Sequence, residues 1–431
     1  MFDLTMVLLA FIALLGVIFE EHTQVSKAKV TFMCGCLAWV LLFITSVGRH
    51  DTASVSAAFQ ENVGEIANLW LFLIAAMTFV AYLNKKGLID TAIRMILPRR
   101  MSKRGLLFLT GIFCFVFSSL ADNITATLVS TALILSLGME VASTLRFAVL
   151  VVYAVNSGGV ALISGDVTTL MIFLAGKVSI AHLLMLSLPS FASVMLLAAL
   201  LSWGVEGEVV LDRRGTDRRG RDRDESNSDR RERRVRPVEI IIAGLFLSTI
   251  VLTMFANMFF GIPPVLCFLS GLATMFLVAH FFSEDADEDP ILEYIRLVEF
   301  ETLFFFLGIL LIVGMLQQIG ALSGIADMFA RVSPLVGSYL VGLLSSLIDN
   351  VPLTAALVKA NPAMTAGEWL ELSYAVGVGG SLLVIGSAAG IVCMSRIKDL
   401  TVGSYARFLP LVMVAYSAGY GGAIFLAHLI G

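Results

Sequence analysis

Two stretches decide how this chain folds: Ser118-Ser119-Leu120-Ala121-Asp122-Asn123 and Ser345-Ser346-Leu347-Ile348-Asp349-Asn350. They are near copies, and each runs within a few residues into threonine, alanine and a Leu-Val step. Downstream, Gly158-Gly159 with Ile163, Gly165 and Leu170 lines up with Gly379-Gly380, Val384, Gly386 and Ile391, in the same order. The chain is therefore read as a duplication. Each Asp-Asn pair interrupts an apolar segment midway, at 106–138 and at 335–360. The arms beside each pair are short, which predicts a re-entrant hairpin that enters and leaves on one side. Polar backbone at that depth is tolerated where it lines a protein-walled cavity.

The surroundings of these motifs require a bilayer. Of 431 residues, 58% are hydrophobic and only 14% charged, with a mean hydropathy of +0.91, which excludes a soluble fold. The fold class expected is an all-α polytopic membrane protein: an inverted-repeat transporter with about ten spanning helices, two re-entrant hairpins and two broken helices. Spans are placed at 4–19, 30–47, 67–83, 146–175 and 183–204, then at 238–256, 264–282, 302–318, 372–395 and 404–429. The domains follow as a first repeat, 1–205, a charged cytoplasmic linker, 206–237, and a second repeat, 238–431. An odd number of spans per half gives the halves opposite orientation, with one hairpin entering from each face and the glycine-broken helices meeting near the midplane.

Charge is concentrated in a few segments. Lys85, Lys86, Arg94, Arg99, Arg100, Lys103 and Arg104, and the arginine-rich linker, are expected on the cytoplasmic face, with both termini outside. The acidic stretch 284–293 then falls on the cytoplasmic face without positive-inside support. The first apolar run follows Asp3 without a basic lead-in and is taken as a span, not a signal peptide. The five cysteines all lie in apolar runs and are assigned to packing.

Asp122 and Asp349 lie deep in otherwise uncharged segments, where a carboxylate costs at least about 2.5–3.5 kcal/mol to insert. Such a carboxylate caps the following helix arm, marks an ion path, or does both. Asp166 sits at the break of the fifth span, in Gly165-Asp166-Val167-Thr168-Thr169, and its repeat partner is Ser387. Three carboxylates, with Ser387, Ser381 and the amides of Asn123, Asn156 and Asn350 as neutral oxygen donors, make a site for a hard cation. Thr168 and Thr169 either ligate or hydrogen-bond back to their helix. A buried aspartate that takes a proton or sodium in turn suffices for exchange. Lys177, His182, Lys359, Lys398 and Asp399 read as span-end residues. Glu20, Glu21 and Glu65 also read as span-end residues, with pH sensing or cation collection as the alternative reading.

At these residues the chain resembles the NhaD sodium/proton antiporters of the ion-transporter superfamily. The likeness rests on Ala121-Asp122-Asn123, Gly165 to Met171, Asp349-Asn350-Val351-Pro352-Leu353, and Gly379-Gly380-Ser381 leading to Gly386-Ser387-Ala388-Ala389-Gly390. It covers nearly the whole chain outside the arginine-rich loop, which is not part of the family pattern. The resemblance implies a bacterial inner-membrane exchanger, not an enzyme, that moves sodium or lithium outward against protons without a cofactor. It implies a homodimer in membrane lipid with no nucleic-acid partner. The family's polar positions carry over to Asp122, Asn123, Asn156, Asp166, Thr168, Thr169, Ser345, Asp349, Asn350 and Ser387. Two other readings compete. Superfamily relatives that carry dicarboxylates, or export arsenite, place Ser-Asn-Thr at the hairpin tips; here aspartate stands twice at the serine-like position. Intramembrane aspartyl proteases also pair aspartates, but Ser164 precedes Gly165-Asp166, so their Gly-x-Gly-Asp signature is absent.

Overall fold

The computed structural model describes residues 2–18, 20–23, 25–49, 51–89, 100–210, 237–281 and 294–430. Most of the linker expected at 206–237 and the acidic stretch at 284–293 lie outside the described residues, as do Arg94 and Arg99. The protein is all-α and polytopic. Its first half holds α1 (Phe2–Ile18), α2 (Glu20–Thr23), α3 (Lys27–Arg49), α4 (Thr52–Lys85), α5 (Lys103–Leu120), α6 (Asn123–Ser136), α7 (Val141–Gly159), α8 (Val167–Leu174) and α9 (Ile180–Ser202). The second holds α10 (Pro237–Phe260), α11 (Pro264–Phe281), α12 (Phe300–Gln318), α13 (Ser323–Arg331), α14 (Pro334–Ser345), α15 (Asn350–Ala360), α16 (Ala366–Gly379), α17 (Ala388–Arg396), α18 (Val402–Ala406) and α19 (Leu409–Ile430).

Nine helices among the described residues are long and apolar enough to cross a membrane. That set includes α5, an arm of the first hairpin, and omits α1, which is short, and α16/α17, which is split by its break. The span expected at 67–83 is longer than its apolar core: α4 begins at Thr52 and runs for 34 residues. Its early turns mix charged and apolar residues, and burial of Val55, Asn62 and Ile66 against the bundle, not hydropathy, keeps them helical.

The hairpin at 106–138 does turn back. Cys114 Sγ lies 3.2 Å from Ser130 Oγ, an equal distance along the chain on either side of Asp122. Lys103 before the hairpin faces Glu140 after it across 3.9 Å, so entry and exit share one face. On that face β1 (Arg100–Ser102) pairs antiparallel with β2 (Glu208–Val210), a small ribbon that sequence periodicity did not indicate. Arg104 and Arg146 reinforce it, donating to the carbonyls of Val205 and of Leu201 and Trp203. The second hairpin emerges elsewhere. Lys177, one crossing beyond Glu140, donates to Asn361 at the end of α15 and lies over the Trp369 ring.

Close packing at glycine fixes the hairpins against the broken helices. A β-carbon on Gly158 would run into the carbonyl of Phe115 on α5, and one on Gly379 into the carbonyl of Gly342 on α14. Each hairpin also touches the other half: α15 packs on α8, and α6 on α17. The remaining scaffold is built around α12, which lies along α3 with Gly35 against Gly308, the small-residue approach typical of membrane helices. Trp39, Asn62 and Trp70 donate to its carbonyls at Leu311, Leu310 and Leu303.

Gly158→Ala and Gly379→Ala should each destabilise the fold by roughly 1–3 kcal/mol through overpacking. Gly64→Ala, which meets nothing within 4 Å, should not. Thermal unfolding of the purified protein in detergent measures the difference.

Candidate functional site

Four helices begin inside the protein at the breaks, and each leaves backbone N–H groups without intrahelical partners. Each is capped by the residue just before it. Asp122 accepts from the Thr125 N–H at 2.9 Å and its hydroxyl at 2.7 Å, starting α6. Asp349 accepts from the Val351 N–H at 3.2 Å, starting α15. Asp166 accepts from the Thr168 N–H at 3.2 Å, starting α8, and Ser387 from the Gly390 N–H at 3.3 Å, starting α17. The four caps line a single cavity of about 120 Å³, which Asn123, Asn156 and Asn350 also line.

Asp166 is the centre of this cavity's polar wall. Its Oδ2 receives Asn123 Nδ2 at 3.1 Å and Asn350 Nδ2 at 3.3 Å, so the two copied asparagines, one per hairpin, converge on one carboxylate. Asn123 is itself held by Ser118, whose hydroxyl donates to Asn123 Oδ1 at 2.7 Å and is also 2.7 Å from the Val155 carbonyl. The equivalent serine, Ser345, donates to the Val376 carbonyl at 2.8 Å. Asn156 Nδ2 donates to Ser387 Oγ at 3.0 Å and to the Val152 carbonyl at 2.8 Å, tying the two broken helices together.

Seven of the eleven residues singled out from sequence therefore meet at the cavity: Asp122, Asn123, Asn156, Asp166, Asp349, Asn350 and Ser387. Thr168, Thr169, Ser345 and Ser381 are buried behind it and do not line it. Thr168 offers its backbone N–H to Asp166. The hydroxyls of Thr169 and Ser381 go to the carbonyls of Gly159 and Val378, and that of Ser345 crosses to α16. Where the chain unwinds, exposed carbonyls compete for nearby hydroxyls, and these side chains answer them.

Sequence reasoning missed one member. Lys27, on the first turn of α3, lines the cavity and donates to Asp349 Oδ2 at 2.8 Å. Glu65 and Lys359, read as span-end residues, form an ion pair between α4 and the second hairpin. The cavity adjoins two recesses on the face of Lys85. One, about 420 Å³, is lined by Glu20, Glu299 and Glu301; the other, about 280 Å³, reaches Asp122 past Asn84, Lys85 and Glu299. Desolvation there, then the neighbouring Asp122 carboxylate, raises the Glu299 carboxyl above the ordinary range. No cluster of three or more His, Cys, Asp or Glu side chains close enough to hold a metal ion together occurs among the described residues.

Apolar helices around a polar cavity walled by helix starts at membrane depth define a multi-pass membrane transporter. The chain belongs to the family described as Citrate transporter (CitMHS), whose profile matches residues 6–390, and it groups with NhaD antiporters. It is 30% identical to a Na(+)/H(+) antiporter NhaD of Vibrio cholerae over 93% of this chain and 87% of that protein. A second NhaD, of Alkalimonas amylolytica, is 27% identical over 95% of this chain and 87% of its own length. Sodium/proton antiporter 2 of Arabidopsis thaliana is 29% identical over 96% and 97%.

Ser118→Ala should destabilise the fold by about 1–3 kcal/mol, because it removes the one buried hydroxyl that Asn123 Oδ1 and the Val155 carbonyl share. Ser381→Ala, which loses only a bond to the carbonyl three residues back, should stay within about 0.5 kcal/mol. Thermal unfolding in detergent separates the two.

Proposed function

We propose that this chain is a secondary active transporter that exchanges sodium, or lithium, for protons across a bacterial inner membrane by alternating access. The observation that carries the reading is that three of the four caps in one cavity are aspartates. Four helix N-termini pointing at one place would by themselves attract an anion. Aspartate at three of them reverses the sign of the site. Oxygen ligands from Asp122, Asp166, Asp349, Ser387 and the three asparagines suit a hard, weakly polarising cation. The same carboxylates take protons when the cation leaves, since an unpaired charge at that depth is costly. Cation and proton thus exclude one another at Asp166 and its neighbours, and that competition couples the two flows.

In this reading Asn123 and Asn350 hold Asp166 in place and present their carbonyl oxygens as the caps move. Thr169, Ser345 and Ser381 brace the unwound backbone behind the site, and Thr168 holds Asp166 through its backbone N–H. The chain carries out transport without a cofactor and without covalent catalysis. It works as a homodimer in membrane lipid, built of two inverted repeats, 1–205 and 238–431, with 206–237 as a cytoplasmic linker. The relatives named NhaD support cation exchange. The family description points instead to citrate, and for that substrate the caps have the wrong charge.

In everted vesicles with an acid interior, adding sodium should release protons. Asp122→Asn, Asp166→Asn and Asp349→Asn should each abolish the response. Robust sodium-driven uptake of labelled citrate or succinate by proteoliposomes would decide for the anion reading instead.

A further inference from the structure

We infer that Lys27 is the resident counter-cation of this site: its ammonium holds Asp349 when no transported ion is bound and leaves it when one arrives. The inference rests on the exchange reading above and adds to it a residue that sets how tightly the cation is held.

Lys27 Nζ lies 2.8 Å from Asp349 Oδ2, and the two side chains are only 19% and 10% exposed. The ammonium also lies 4.5 Å from the centre of the Phe305 ring, which favours a cation at that spot over an uncharged amine. Lys27, Thr302 and Phe305 line both the central cavity and the 420 Å³ recess of Glu20, Glu299 and Glu301. The ammonium therefore stands on the boundary between the two spaces. Inward it has Asp349; outward it has the carboxylates of the recess. A flexible four-carbon stem lets the charge pass from one to the other.

The charge at the caps points the same way. Each of the four helix starts contributes about half a positive charge, roughly two in all. Three carboxylates oppose that, which leaves a deficit of about one positive charge. One monovalent cation closes the deficit, and the tethered ammonium, a sodium ion or a proton taken by one of the carboxylates can do it. With ammonium and sodium both at Asp349 the site is overfilled, and with none of the three it is one cation short. Lys27 belongs to α3 and Asp349 to the tip of the second hairpin. The ammonium that competes for Asp349 is thus anchored on a different element from the one that carries the carboxylate.

A lysine that merely fastened α3 to the hairpin would affect stability and maximal rate but not the sodium dependence. The test uses the full-length protein with Lys27→Met and Lys27→Arg. Sodium binding in detergent is read as a thermal shift on titration with sodium chloride, with choline chloride holding ionic strength constant. Exchange is read in proteoliposomes. For Lys27→Met, half-saturating sodium should fall by roughly tenfold or more, the effect of removing one nearby competing charge, and the maximal rate should fall with it. Lys27→Arg, which keeps the charge, should stay near the wild-type sodium dependence. Should Lys27→Met not fold, Lys27→Gln removes the charge while still able to donate to Asp349, and the same fall is expected. An unchanged or raised half-saturating sodium concentration in the charge-free variant, in a background where wild type responds, overturns the role of Lys27 alone. A folded wild type without sodium response in either assay overturns the exchange reading first.

Discussion

A helix that starts in the middle of a membrane must find partners for its first N–H groups without water to supply them. The described residues contain four such starts, and their caps are Asp122, Asp166, Asp349 and Ser387. That single requirement explains why the chain folds as it does and why it has a site at all. A side chain that satisfies a backbone donor at the bilayer centre must be polar, and it is held in one orientation by the bond it makes. Four of these stand around a common space of about 120 Å³. At Asp166 and Asp349 the two carboxylate oxygens divide the work: Oδ1 takes the amide of the following helix, while Oδ2 faces Asn123 and Asn350 at Asp166 and Lys27 at Asp349.

The two copies of the motif are not used alike. Ser118 and Ser345 lock their hairpins to the broken helices in the same way, and Gly158 and Gly379 allow the same close approach. Around this shared frame the contacts diverge. The second hairpin is tied to the scaffold at its tip by Lys27 and near its end by the pairing of Lys359 with Glu65, and it packs along α12. The first hairpin carries Asp122 beside a recess that opens past Asn84 and Lys85. The recesses that adjoin the cavity therefore lie beside the first hairpin and the start of α12, while the contacts of the second hairpin are with α3, α4 and α12.

Much of this was legible from residue order. A duplicated Ser-Ser-x-x-Asp-Asn inside an apolar segment has few solutions other than a hairpin, and Gly158-Gly159 and Gly379-Gly380 announce the breaks. Seven of the eleven residues chosen from those motifs share the cavity, because each lies at a hairpin tip or beside a helix break, and the fold brings those tips and breaks together. The residues that the sequence does not reveal act across the fold. Lys27 sits at the edge of an apolar run, where a lysine ordinarily snorkels; only α3 lying against α12 brings it to Asp349. Glu65 and Lys359 had the same look of terminal charges, and the extension of α4 back to Thr52 is what places Glu65 opposite Lys359. Thr169, Ser345 and Ser381 show the converse. Their hydroxyls go to backbone carbonyls, and a polar residue next to the cavity in sequence need not line it in space.

The family description and the relatives' names pull toward different substrates, and the caps explain how one scaffold accommodates both. Helix starts supply a positive field whatever the sequence, so a cavity walled by four of them is in its ground state an anion site. Neutral caps leave that field intact and suit a carboxylate substrate. Replacing three neutral caps with aspartate inverts the field without moving the backbone, since serine and aspartate satisfy the same N–H groups in the same extended geometry. Ser387 retains the neutral form at the position where Asp166 has its counterpart, and Asn156 bonds it directly. A substitution of Ser387 by aspartate would add a fourth carboxylate against Asn156 and leave the site short of a second cation. With three aspartates and one serine the caps carry more negative charge than four helix starts offset, which sets the sign of the cavity for a cation rather than an anion.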